Sequence, residues 1–230
     1  MSVHAVLTRL RSYWEQPLAA RFQSVMVTVG IVLAAAGLLL TLINWAGTQE
    51  DILRMAYSIS DAGGYCDLED TGVSEAVVHD GLTILPASRG GSYCCGFTFM
   101  VAMRVATERG LMDGKEPYEV KRFQREWYGS TKASRDRQVA LAVEQLGIGR
   151  EVDRTDARPG DFVAFQRIGA GGHSVVFLRW IRRDGEIIGF RYRSSQPFTD
   201  GVGDCNEYFV TSGYEGAFVD PAHFYVARLN

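Results

Sequence analysis

The stretch Gly90-Gly91-Ser92-Tyr93-Cys94-Cys95-Gly96-Phe97-Thr98-Phe99-Met100-Val101 constrains the fold more than any other. Between Phe97 and Met103 only Thr98 is polar, so a helix built from this run has no face to offer water and must lie inside a domain. The Gly-rich loop ahead of it predicts a helix start near Cys94. The first turn of a helix leaves N–H groups unpaired and carries the positive end of the dipole, which favours a thiolate and can receive a developing oxyanion. One short segment therefore offers a nucleophile and an oxyanion site together. The same two cysteines also suit a plainer reading as small buried hydrophobes.

A second run sets the domain organisation. Val25 to Ala46 spans 22 residues, interrupted only by Thr28, Thr41, Asn44 and glycines. That is the length of a helix crossing the hydrocarbon core of a bilayer. Arg9, Arg11 and Arg21 precede it and Glu50-Asp51 follows, which puts the N-terminus in the cytoplasm and the rest of the chain outside. Asn44-Trp45-Ala46 is a poor cleavage site for a secretory signal, so the run reads as an uncleaved anchor. The expected organisation is a basic N-terminus at 1–23, a transmembrane anchor at 24–46, a tether and lead-in segment at 47–89, and the main domain at 90–230. The net charge is -3. With the N-terminal arginines set aside, the body is more acidic still, which gives nucleic acid no electrostatic footing as a partner.

The body reads as helices followed by strands. Helical spacing covers Asp51 to Ser60, and glycines then punctuate a loop-rich stretch to Gly91. Pro117 to Tyr128 reads as a helix started by proline and stopped by Gly129, and Ser134 to Leu146 as another, with Val139, Val143 and Leu146 on one face and Gly147 as its stop. Strands are expected at Phe162 to Gln166, His173 to Ile181, Ile187 to Ser195, Tyr208 to Thr211 and Phe224 to Leu229. The fold class that follows is α+β, with the buried helix packed on an antiparallel sheet.

Asp184-Gly185 is a two-residue hairpin signal. If Arg183 faces Glu186, counting back along both strands places His173 opposite Gln196. An imidazole acting as a base needs a third group to hold its tautomer and orientation, and Gln196 is the first choice for that role. Ser194 shares its face and is the fallback, while a bulge or a three-residue loop would bring in Ser195 or Pro197 instead.

The order of these features resembles a family: the papain-like cysteine hydrolases of the NlpC type and the related CHAP amidases, which act mostly on bacterial cell-wall peptides. Their Cys-Ser-Gly-Phe-like motif is similar to Cys94-Cys95-Gly96-Phe97, their Pro-Gly-Asp strand to Pro159-Gly160-Asp161, and their Gly-His strand to Gly172-His173. The resemblance covers about residues 90–200. It implies a papain-like domain with Cys94 as nucleophile and His173 as base. It also implies an acyl-enzyme route, no metal or organic cofactor, and a substrate that is a peptidoglycan peptide or a protein. The family commonly has Asp before its nucleophile where this chain has Tyr93, which leaves Cys95 open as an alternative nucleophile. The location implied is the bacterial inner membrane, single pass, with the catalytic domain periplasmic or extracellular. Two other classes stay open: an inactive papain-like domain that binds cell-wall or membrane partners, and an acyltransferase or transglutaminase-like enzyme using the same dyad.

Outside the cytoplasm, Cys66 and Cys205 could form a disulfide tying the lead-in segment to the tail. A zinc site drawing on His79, His173 or His223 lacks any ligand spacing, so no metal is expected. His4 and His223 have no motif around them.

Overall fold

The computed structural model describes residues 26, 27, 29–33, 50–66 and 70–230. The basic N-terminus at 1–23 lies outside the described residues, as does most of the expected anchor at 24–46. Of the anchor, residues 26, 27 and 29–33 are described, and they are helical and exposed. Among the described residues no helix is long and apolar enough to cross a membrane. Thr48–Asn230 forms a compact unit of its own, and it holds every element considered below.

The unit is α+β, with a mostly antiparallel sheet. It begins with helix α1 at 50–58, whose Ile52 and Ala56 are buried in the core. Both ends of α1 are pinned by charge. Asp51 accepts from Arg109 Nε and Nη2 at 2.9 and 2.7 Å. Near the other end, the fully buried Arg193 donates to the carbonyls of Ala56 and Ile59 at 3.1 and 2.9 Å, where a helix C-terminus attracts a cation. The lead-in segment is therefore built into the fold. It continues as the short strand β1 (Ala62–Gly63) and a separate hairpin of β2 (Val77–His79) and β3 (Leu82–Leu85). That hairpin turns on Asp80-Gly81, both at positive φ, a signal submerged among the many glycines of a stretch expected to be loop.

Three helices follow: α2 (Cys94–Glu108), α3 (Pro117–Trp127) and α4 (Ser134–Leu146). In α2 every residue from Cys94 to Met103 is buried, as an all-apolar run requires. Helix α3 starts on Pro117 with a capping box between Glu116 and Glu119, and α4 stops at Gly147, which takes the left-handed conformation that glycine adopts at little cost.

The remaining strands are β4 (Gly149–Val152), β5 (Phe162–Arg167), β6 (His173–Arg183), β7 (Glu186–Gln196), β8 (Gly201–Tyr208) and β9 (Val219–Leu229). With β1 they form a 7-stranded sheet in the order β1-β8-β7-β6-β5-β9-β4. Two strands differ from expectation. β4 was not foreseen, and the strand expected at Tyr208 to Thr211 lies earlier, as β8. β8 reads Gly-Val-Gly-Asp-Cys-Asn-Glu-Tyr and has no apolar alternation; its carboxylates pair with arginines of other strands, Asp204 with Arg193 on the adjacent β7 and Glu207 with Arg167 at the end of β5.

Alternation along β5 divides the core. Phe162 and Ala164 face the helices, while Val163 and Phe165 join Phe177, Phe190, Tyr192 and Phe224 in an aromatic cluster on the other face. The β6–β7 hairpin turns on Asp184-Gly185 with Arg183 opposite Glu186. Its pairing slips by one residue past Leu178 and slips back past Ile188, so Val176 still faces Arg193 and Phe177 faces Tyr192. The two irregularities cancel, and the far end of the hairpin keeps the register that an uninterrupted ladder would have.

Candidate active site

The start of α2 is anchored from within. Thr98, one turn in, lies 3.0 Å from the Cys94 carbonyl and 2.8 Å from Ser174 Oγ, and accepts the Trp127 indole N–H at 3.0 Å. Thr98 therefore ties the first turn of α2 to β6 beside His173 and to α3. Gly96 is required by close approach: a Cβ there would lie 2.0 Å from the carbonyl oxygen of Gly72. The N-cap, Tyr93, makes no side-chain capping bond, and no acidic residue lies in the first turn. The N–H groups of that turn and the positive dipole end are thus left for a thiolate or an oxyanion.

Cys94 and Cys95 are both buried, with their sulfurs 3.8 Å apart, but their environments push them in opposite directions. The Cys94 thiol is held well below the ordinary thiol range. A hydrogen bond from Cys95 is the main cause; the charge and hydrogen bond of His173 and the Ser174 backbone add to it against the cost of burial. The Cys95 thiol is pushed well above that range by its partner Cys94 and by burial. Cys94 lines an open cleft of about 590 Å³ together with His173 and Gln196, and Cys95 is not among the residues lining it. Of the two sulfurs, Cys94 is the one whose residue lines the cleft.

His173 opens β6, 5 % exposed, its ring set edge-on between Phe165 and Tyr192 at 5.7 and 5.5 Å. Its Nε2 is 3.2 Å from Gln196 Oε1. A carbonyl oxygen there accepts, so Nε2 carries the proton and Nδ1 is the nitrogen left for Cys94. Gln196 is itself held on several sides. Tyr192 Oη lies 3.0 Å from its oxygen and 2.8 Å from Glu207 Oε1, and Arg167 clamps Glu207 with Nε at 3.1 and 2.9 Å and with Nη2. The Gln196 amide donates to Cys205 Sγ at 2.6 Å. The third group thus stands at the end of a buried polar chain that fixes its orientation.

The fallback serines are engaged elsewhere. Ser194 Oγ donates to the Ser174 carbonyl at 2.7 Å, and Ser195 Oγ donates to the Ser92 carbonyl at 2.9 Å; both brace the β6, β7 and α2 junction. Asp161 of the Pro-Gly-Asp turn is a brace as well, accepting from Arg228 Nε and Nη2 at 2.8 and 2.7 Å.

The cysteine pairing differs from expectation. All four cysteines are free thiols. Cys66 is buried, Cys205 accepts from the Gln196 amide, and the two are not bridged. Among the described residues no cluster of His, Cys, Asp or Glu could hold a metal ion.

No family model, curated protein or solved structure matches the chain. The site therefore has to be read from its own geometry. Tyr192, Glu207 and Arg167 support it, and Tyr65, Phe198 and Phe218 line its cleft; none of the six was singled out from sequence. Only Glu207 and Arg167 carried a usable signal, as opposite charges on strands flanking the hairpin.

Proposed function

We propose that the protein is a cysteine hydrolase of papain-like type that cleaves peptide or amide bonds through an acyl-enzyme. The observation that carries this reading is the cleft-facing Cys94 thiol at a helix start, its pKa depressed, with His173 beside it and Gln196 behind the imidazole. His173 takes the thiol proton at Nδ1, and the Cys94 thiolate attacks a carbonyl carbon. Unpaired N–H groups of the first turn of α2 stabilise the tetrahedral oxyanion. The imidazolium then protonates the leaving amine as the C–N bond breaks, leaving a thioester on Cys94. Water, deprotonated by His173, attacks the thioester and releases the acid. Gln196 keeps Nε2 protonated and the ring in plane throughout, the role of the third member in such triads. None of these steps calls on a cofactor.

The apolar run at 24–46 makes the enzyme a single-pass protein of a bacterial inner membrane, N-terminus inside and hydrolase unit in the periplasm or outside. Two substrate classes suit that location: peptidoglycan peptides, which the motif resemblance favours, and exported proteins. The test is mass spectrometry of products after incubating the detergent-solubilised chain with purified wall fragments and, separately, with an unfolded protein. New amide cleavage that vanishes in Cys94→Ala supports the reading. Cleavage that persists in Cys94→Ala, or that is lost only in Cys95→Ala, contradicts it.

A further inference from the structure

The charge distribution of the cleft bears on which of those classes it takes. Apart from the reacting cysteine and histidine, its charged lining residues are Arg167 and Glu207, and these are committed to one another. Arg167 Nε contacts both Glu207 oxygens, Nη2 adds a further bond, Tyr192 Oη meets the same carboxylate, and the guanidinium lies over the Phe165 ring at 5.2 Å. A substrate carboxylate or ammonium entering here would lose its water and gain no free counter-charge.

Apolar surface is what the cleft offers instead. Phe198 and Phe218 line it while remaining 72 % and 55 % exposed. Ile168, 58 % exposed, is tied to the same rim by its N–H donating to the Phe218 carbonyl at 2.8 Å. Tyr208, also in the lining, is stacked on Tyr214 at 3.9 Å. Gathered at the mouth of one cleft, exposed rings of this size mark a binding site rather than scattered surface apolarity. Gly171 and Gly216, also in the lining, have open space where a side chain would stand, leaving room for a substrate side chain.

We infer that the cleft binds an uncharged peptide segment with a bulky apolar side chain, aromatic or branched aliphatic, next to the scissile bond. The preferred substrate is then a protein segment, and a wall peptide carrying free carboxylates is disfavoured. This rests on the hydrolase reading above, and the test keeps the two apart. The detergent-solubilised full chain is treated with a series of peptidyl chloromethyl ketones, in which the thiolate displaces chloride and forms a thioether. The probes differ only in the side chain beside the ketone: Phe, Leu, Gly, Glu or Lys. Each rate of modification at Cys94, read by mass spectrometry, is divided by the rate with iodoacetamide for the same protein.

The Phe and Leu probes should exceed the Glu and Lys probes by about tenfold or more, the scale on which an apolar pocket discriminates. Phe198→Ala and Phe218→Ala should each erode that advantage. Equal rates across the series, or a faster Glu probe as a wall-peptide site would give, overturn the inference. So does acceleration by phosphatidylcholine vesicles that ignores the probe side chain, which would seat the aromatic rim in a bilayer. Absence of iodoacetamide labelling at Cys94 overturns the hydrolase reading itself.

Discussion

Replacing Cys95 with alanine probes the site through a residue that does not touch the cleft. The Cys95 thiol, 3.8 Å from the Cys94 sulfur, is the first cause of the depressed Cys94 pKa. A hydrogen bond to a charged group contributes about 1.5–3 kcal/mol, and S–H is a weak donor, so the lower figure of about 1.5 kcal/mol applies here. That is roughly tenfold in the balance between thiolate and thiol. The assay is the pH dependence of Cys94 carboxymethylation by iodoacetamide, followed by mass spectrometry. In the parent protein a depressed pKa keeps the thiolate populated as pH falls below the ordinary thiol range, and reactivity is lost only on passing the lowered value. In Cys95→Ala the loss should begin at higher pH, with about a tenfold slower reaction on the acid limb. Cys95→Ser, which keeps a donor, should stay close to the parent. An unshifted profile in Cys95→Ala would refute the idea that the neighbouring thiol tunes the nucleophile.

Other perturbations follow from the same contacts. Gly96→Ala drives a Cβ to 2.0 Å from the Gly72 carbonyl, and should cost about 1–3 kcal/mol in urea unfolding as backbone is forced to move. Asp161→Ala strands the largely buried Arg228 without its carboxylate and should cost about 3 kcal/mol by the same measurement; a loss too small to detect would mean the turn is not braced by that pair. Gln196→Leu removes the acceptor at His173 Nε2 and should slow acyl transfer by up to about 100-fold through misorientation of the base, with thermal stability the control that separates this from unfolding.

The parts of the fold that were legible are those where local chemistry and burial agree. Helix α2 is apolar all round because it is surrounded, α3 carries its own start residues and α4 its own stop, and Asp184-Gly185 sets the hairpin that aligns His173 with Gln196. Strand β8 was not legible because its side chains are selected by partners on other strands: Asp204 answers Arg193 and Glu207 answers Arg167. The two slips in the β6–β7 ladder could not be foreseen either, but they cancel, so the count still places Gln196 beside His173. At the site, Cys94 and His173 are singled out by motif order and Gln196 by the hairpin count. The distinction between Cys94 and Cys95 does not, because it depends on which sulfur faces the cleft and which donates. Compartment and count alone allow a bridge between Cys66 and Cys205, but both are free thiols, and Cys205 accepts from Gln196 instead.

Acyl transfer to Cys94 is most directly observed with p-nitrophenyl acetate and the full chain in detergent. The proposed chemistry predicts a stoichiometric burst of nitrophenolate and an acetyl group on the peptide containing Cys94, abolished in Cys94→Ala and strongly slowed in His173→Ala. A linear time course with no burst, or acetylation at Cys95 or at lysines with Cys94 untouched, would contradict it.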